Sequence, residues 1–175
     1  MLRKSFWIPV LGLALIPAVS AQAQQYFEAG TFELTLSGSG SSTEDVDAGS
    51  FGLAGSFGYF PVDQLEVLVR QTVAYSDFDA GTNLAATTAV AVDYHFDLDR
   101  FQPFVGASIG YRYGDSDIDE TFLGGPEAGL KYFVKDDTFL YGLVSYQFFF
   151  DNVDEVDEVF DDGSFVYQVG IGFTW

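Results

Sequence analysis

The 175-residue chain is long enough for one domain, and the absence of cysteine excludes a disulfide framework, a thiolate metal centre and a cysteine nucleophile. A formal net charge of −19 excludes a nucleic-acid binder, which needs a basic patch to displace counterions, and a surface helix docking on anionic lipid. Aromatic residues are 18% of the chain, more than a water-soluble domain of this size readily buries.

The N-terminus carries the three parts of an export signal. Arg3 and Lys4 form a positive start, Phe6 to Val19 is an apolar run interrupted by Pro9 and Pro17, and Ala21-Gln22-Ala23 is a small-residue cleavage site. The run is shorter than the ~20 residues a spanning helix needs. A signal peptide over residues 1–23 is therefore expected, cut after Ala23 or Ala21, with residues 24–175 forming one domain.

From there every long segment alternates, the period-2 pattern of a strand whose two faces meet different surroundings. The first strand, about Gly30 to Gly38, sets Phe32, Leu34 and Leu36 against Thr31, Glu33, Thr35 and Ser37. After the polar link SSTEDVDA, the second runs from about Gly49 to Phe60, with Phe51, Leu53, Phe57 and Tyr59 on the large face and Ser50, Gly52, Ala54, Ser56 and Gly58 on the small one. Pro61-Val62-Asp63-Gln64 reads as a tight turn, since proline cannot donate to a central ladder. The third, about Leu65 to Tyr75, places Leu65, Val67, Val69, Val73 and Tyr75 outside and Glu66, Arg70, Thr72 and Ala74 inside. The link SDFDAG leads to the fourth, about Asn83 to Phe96, with Leu84, Val90, Val92, Tyr94 and Phe96 outward and Thr87, Ala89, Ala91, Asp93 and His95 inward.

A turn over Leu98 to Phe101 precedes the fifth strand, about Gln102 to Tyr113. Val105, Ala107, Ile109, Tyr111 and Tyr113 face out, and Phe104, Gly106, Ser108, Gly110 and Arg112 face in. The acidic link GDSDIDE leads to the sixth, about Thr121 to Val134, with Ala128, Leu130, Tyr132 and Val134 outside and Glu127, Gly129, Lys131 and Phe133 inside. Lys135-Asp136-Asp137 is a short turn. The seventh, about Thr138 to Phe150, directs Leu140, Val144, Tyr146 and Phe148 outward, and DNVDEVDEVFDDG joins it to the last strand, Ser164 to Trp175. There Phe165, Tyr167, Val169, Ile171, Phe173 and Trp175 share one face, and Ser164, Val166, Gln168, Gly170, Gly172 and Thr174 the other.

Short turns and longer acidic links alternate, so an even-stranded antiparallel meander with both ends on one side is expected. The small face is dominated by Gly, Ser, Ala and Thr. It does not make a soluble exterior, which needs many charged residues, but it fits the narrow lumen of an eight-stranded barrel. The large face carries almost no charge, with aromatic residues near strand ends, as girdles at a membrane boundary require. The expected fold is all-β: an eight-stranded antiparallel up-and-down transmembrane β-barrel. Its short turns belong to the periplasm and its long loops to the outside.

The stretch FDLDRFQPFVGASIGY, then GGPEAGLKYFV, then a last strand ending on an aromatic residue resembles the small eight-stranded outer-membrane β-barrel family of the OmpA-transmembrane-domain and OmpX/Ail type. The resemblance implies insertion into the outer membrane of a Gram-negative bacterium by the barrel-assembly machinery, which reads the last strand. Phe173 and Trp175 would form that signal, Trp175 standing where family members carry Phe.

Charges facing a narrow lumen need partners. The inward set is Glu33, Glu66, Arg70, Asp93, Arg112, Glu127 and Lys131. Depth counted from the turns predicts an Arg70–Asp93 pair, with Glu66 and Glu33 nearby, and a Glu127–Lys131 contact. This network reads as a plug, and a narrow pore for small solutes or ions is the alternative. The single histidine, His95, faces inward near a short turn. Barrel enzymes that the fold resembles, the lipid A deacylases and palmitoyltransferases, use a His with a Ser and a carboxylate near the outer leaflet. No Ser is placed for His95 to activate, so no catalytic residue and no enzymatic activity are expected. The loops are acidic, and Asp115, Asp117, Asp119, Asp154, Asp157 and Asp161 are candidates for loosely held Ca²⁺ or Mg²⁺. Cation-dependent surface binding or adhesion is a further reading. Otherwise no cofactor is expected. The expected partners are outer-membrane lipid and lipopolysaccharide, with the assembly machinery during biogenesis, no nucleic acid and a monomeric state.

Overall fold

The computed structural model describes residues 26–42, 49–78, 81–114, 120–150 and 163–175. The expected signal peptide and the acidic loop candidates Asp115, Asp117, Asp119, Asp154, Asp157 and Asp161 lie outside the described residues. Eight strands follow one another: β1 (Phe32–Ser42), β2 (Gly49–Val62), β3 (Leu65–Phe78), β4 (Gly81–His95), β5 (Phe101–Gly114), β6 (Thr121–Lys135), β7 (Thr138–Phe149) and β8 (Ser164–Thr174). Each pairs antiparallel with its neighbour in sequence, and β8 pairs with β1 to close the barrel. Closure leaves no unpaired edge, the condition for strands to cross hydrocarbon. At the seam the last residue completes the ladder: Phe32 N donates to Trp175 O (3.0 Å), and Trp175 N donates to Phe32 O (3.1 Å).

The strands are 11 to 15 residues long, enough for a tilted strand to span a bilayer. Their alternation puts the two faces where the sequence places them. Leu36, Leu53, Val69, Val90, Ile109 and Val169 are exposed on the outer wall, while Thr35, Ser37, Ala54, Ser56, Ala89 and Ala91 are buried inside. In β7 Leu140 and Val144 point outward, and Phe139, Tyr141, Leu143 and Ser145 are buried in the lumen. Outward aromatics gather in belts near the ends. At the turn end Phe32 meets Tyr59 (5.0 Å between ring centres) and Trp175 (6.1 Å), and Phe101 meets Tyr132 (4.8 Å). At the loop end Tyr111 meets Phe122 (4.9 Å), and Phe165 meets Tyr146 (4.8 Å).

Strand ends differ from the expected ones on the first four strands: β3 runs past Tyr75 to Phe78 and β4 begins at Gly81 rather than Asn83, so the expected link SDFDAG is mostly strand. β1 continues past Gly38 to Ser42. β2 runs through Pro61 to Val62, so the turn shrinks to Asp63-Gln64. Proline is tolerated there because the β2–β3 register already shifts between Tyr59 and Val62, leaving no ladder bond for its missing N–H. Gln64 and Asp99 hold positive φ (66° and 61°) at two of the three short turns, the left-handed geometry that such hairpins use.

The inverted arrangement has a direct consequence. Val169 sits at the centre of β8, 71% exposed on the outer wall. An arginine there faces acyl chains, so Val169→Arg is expected to destabilise the barrel in lipid by about 2–4 kcal/mol. Urea unfolding in vesicles measures this, and a change within experimental error would contradict a lipid-facing wall.

Candidate functional site

The lumen is the place where polar and charged groups converge, and it fills in layers from the turn end. The lowest layer is aromatic. Phe60, Phe133 and Phe139, the inward residues closest to the turns on β2, β6 and β7, are fully buried. Into the slot between them goes Phe27, which precedes β1. Its ring stacks on Phe60 (4.6 Å, 8° between planes) and meets Phe133 edge-on (5.5 Å). Tyr26 stacks on Phe133 from outside (3.9 Å). The backbone holds this segment in place: Gln64 N donates to Phe27 O (3.0 Å), Ala29 N to Asp63 Oδ1 (2.8 Å) and Gly30 N to Phe60 O (2.8 Å). Gly30 has a φ of 95°, which only glycine adopts without strain, and it turns the chain from the lumen into the wall at β1.

Above the aromatic floor lies Lys131. Its Nζ donates to both oxygens of Glu33 (2.8 and 2.7 Å) and to Glu66 Oε2 (2.9 Å). The same ammonium is enclosed by the rings of Phe27, Phe104, Phe139 and Phe60, at 4.9 to 5.9 Å from their centres. One level higher, Arg70 makes a two-pronged bond to Glu127, Nη1 to Oε2 at 3.1 Å and Nη2 to Oε1 at 2.9 Å. Asp93 lies beside this pair, its carboxyl in contact with that of Glu127. Hydroxyls and amides continue the filling: Thr35 bonds Ser56, Tyr141 Oη donates to Thr35 Oγ1 (3.4 Å), and Ser37 Oγ donates to Gln168 Oε1 (3.3 Å). Between the two ion pairs remains a cavity of about 10 Å³ lined by Glu33, Arg70, Asp93, Lys131 and Tyr141, room for a single water.

Six of the seven predicted residues, all but Arg112, therefore meet in the lumen, with different partners from those expected. Arg70 takes Glu127 rather than Asp93, and Lys131 takes Glu33 and Glu66 rather than Glu127. Two geometric facts explain the exchange. Glu127 and Lys131 are four residues apart on one extended strand, about 13 Å at ~3.3 Å per residue. Stagger between strands sets Glu66, not Arg70, opposite Asp93, while Arg70 stands opposite Ala89. Long side chains thus reach across the lumen, β3 to β6 and β6 to β1, instead of to a neighbouring strand. Arg112 lies farther up, half-buried, with Thr87 and Thr121 as its ladder neighbours.

Two glycines make the crowding feasible. A Cβ on Gly58 would collide with the Glu66 carboxyl, and one on Gly106 with that of Asp93. His95 is fully buried, its ring 4.5 Å from Phe27 and 5.3 Å from Phe104, with Nε2 3.6 Å from Glu66 Oε2. Neither ring nitrogen has a hydrogen-bond partner. Among the described residues no group of three or more His, Cys, Asp or Glu is arranged to hold a metal ion. The floor residues Tyr26 and Phe27 were not singled out from the sequence. They belong to no alternating stretch, and the only signal was a pair of inward phenylalanines, Phe104 and Phe133, with no stated filler between them.

No family model matches the chain, and no curated protein does. Solved structures match its fold. The N-terminal β-barrel domain of Pseudomonas aeruginosa OprF superposes with a TM-score of 0.60 at 18% identity, covering 84% of this chain and 98% of that one. Neisserial surface protein A gives 0.53 at 16% identity, over 82% of this chain and 94% of that one. The Yersinia pestis outer membrane protein Ail gives 0.51 at 13% identity, over 83% and 99%. At these identities the likeness establishes the fold, an eight-stranded transmembrane β-barrel.

Proposed function

We propose that the chain is a small integral outer-membrane protein of a Gram-negative bacterium with a structural or surface role and no enzymatic activity. The filled lumen carries this reading. An aromatic floor and two layers of ion pairs occupy the space that a conducting pore would need open, inside a wall that is apolar on its outer face. The absence of an activity is supported by His95, whose ring is boxed by phenylalanines. Phe173 and Trp175, exposed at the end of the closing strand, suit recognition by the barrel-assembly machinery. The outer wall suits contact with lipid and lipopolysaccharide as a monomer, and the acidic loops suit loosely held Ca²⁺ or Mg²⁺.

Planar bilayer recording tests the plug. The purified protein is expected to give no sustained current, because an ion cannot pass without breaking buried, charge-assisted bonds. A steady open level with ohmic conductance would replace this reading by a narrow pore.

A further inference from the structure

The buried charges of the lumen do not balance. Glu33, Glu66, Asp93 and Glu127 are each no more than 3% exposed. Only Lys131 and Arg70 oppose them in the same layers. Fully ionised, the cluster would hold two uncompensated negative charges in a region walled by phenylalanine and lipid, and burial of unpaired charge costs far more than a barrel of this size can offset. The acids fall into two pairs, each sharing one cation: Glu33 and Glu66 on Lys131, Glu127 and Asp93 beside Arg70. Within each pair one carboxyl has both oxygens held by the cation, Glu33 by the ammonium and Glu127 by the guanidinium. The other has a buried oxygen with no hydrogen-bond partner, Oε1 of Glu66 and Oδ1 of Asp93. Each orphan oxygen lies against a glycine, Gly58 or Gly106, where there is no donor to satisfy a charge.

We propose that the lumen is a two-proton binding site, in which the Glu33–Glu66 pair and the Glu127–Asp93 pair each hold one proton and one negative charge at physiological pH. A metal ion does not fit the same space. The cavity of about 10 Å³ is lined by the two cationic side chains as well as by acids. His95 is the less suitable proton holder: its ring is packed among Phe27, Phe60 and Phe104, and its one nearby carboxylate oxygen, Glu66 Oε2, stands 3.6 Å from Nε2 and is already held by Lys131. Every strand contributes to this environment. The titratable groups facing it are Glu33 on β1, Glu66 and Arg70 on β3, Asp93 and His95 on β4, Glu127 and Lys131 on β6 and Tyr141 on β7. The inward groups of β2, β5 and β8 beside them (Ser56, Gln102, Gln168) do not titrate. Folding therefore takes up two protons from solvent, because carboxylates of the unfolded chain are ionised above about pH 5.5.

Infrared spectroscopy of the full-length protein folded in lipid tests this directly, because the C=O stretch of a neutral carboxylic acid is separate from the carboxylate bands. At pH 7 the band is expected to be present and insensitive to external buffer. It is expected to fall by about half in either Glu66→Gln or Asp93→Asn, and to vanish in the double variant, while both substitutions keep an acceptor oxygen in place. The folding equilibrium supplies the second readout. Relative to the double variant, the wild-type constant should drop about hundredfold per pH unit above about pH 5.5, the slope for two protons bound only in the folded state. The direction follows from the proton count: the folded state binds more, so raising pH favours unfolding until the protons leave. A spectrum without the acid band at pH 7 would overturn the proposal. So would a folding equilibrium that follows sodium or potassium concentration in place of pH, the mark of a bound metal cation.

Discussion

Lys131→Met is expected to destabilise the folded barrel by about 3–5 kcal/mol, the usual consequence of removing one partner from a buried ion pair. The ammonium donates to Glu33 through both oxygens and to Glu66 through one, and it is 3% exposed. Methionine fits the volume between Phe27, Phe104 and Phe139, so the loss is electrostatic more than steric. Glu33 then faces Glu66 with no cation between them, and it must either stay charged in an apolar cage or take a proton. The cost should accordingly grow as pH rises. A double-mutant cycle separates the pair from the packing: adding Glu33→Gln should restore most of the loss, with a coupling energy of about 1–3 kcal/mol. Lys135→Met, at an exposed position beside a turn, should change stability by no more than about 0.5 kcal/mol. Urea unfolding in vesicles provides all four values, and a Lys131→Met barrel as stable as the Lys135→Met one would mean that the pair contributes nothing.

The strand pattern was legible because the two faces of every strand meet opposite surroundings. A residue such as Val169 or Leu53 must suit acyl chains, while Ser37 or Gly170 must leave room in a lumen packed with side chains, and period 2 records that contrast residue by residue. Even β7, apolar on both faces, resolves through Leu140 and Val144 once Phe139, Tyr141 and Leu143 are needed inside. Which charges enter the lumen was equally legible, because facing depends only on parity. Which charges touch was not. That depends on the stagger between strands, and the stagger places Glu66 level with Asp93 and lets Arg70 reach β6. Counting from turns along adjacent strands assumes a barrel without tilt, and tilt is what closes a barrel.

A different limit hid Phe27. A residue outside any periodic stretch carries no record of its facing, and Tyr26 and Phe27 fall between the expected cleavage site and β1. The inner wall supplied an indirect sign. Glycines at positions 170 and 172 on β8 face large side chains: a Cβ at Gly172 would strike the Phe139 ring, and one at Gly170 would meet Tyr141 and the backbone of β1. Small residues on one strand thus compensate for large ones on the next, and the aromatic weight at the turn end implies a closed floor in place of an open mouth.

Phe27→Ala removes the piece on which that floor is centred, and it is expected to destabilise the barrel by about 3–5 kcal/mol, the range for deleting a buried phenylalanine. The ring is 1% exposed and touches Phe60, His95, Phe133 and Phe139, and Lys131 Nζ lies 4.9 Å above it. The rings around it are anchored on four different strands, which are fixed by ladder bonds and cannot collapse inward, so the vacancy persists. Water can enter such a vacancy because one wall is the Lys131–Glu33–Glu66 cluster, which offers several polar partners. Hydration of the ammonium then weakens its hold on both carboxyls, so the loss should exceed that of Phe32→Ala, whose ring is exposed on the outer wall at the same end. Two measurements read the effect: urea unfolding of both variants in vesicles, and hydrogen exchange at the amides of Gln64 and Gly30, which bond to Phe27 and Phe60 and should lose protection in Phe27→Ala alone. Equal stability and unchanged exchange in the two variants would show that the segment before β1 merely rests at the mouth of the barrel.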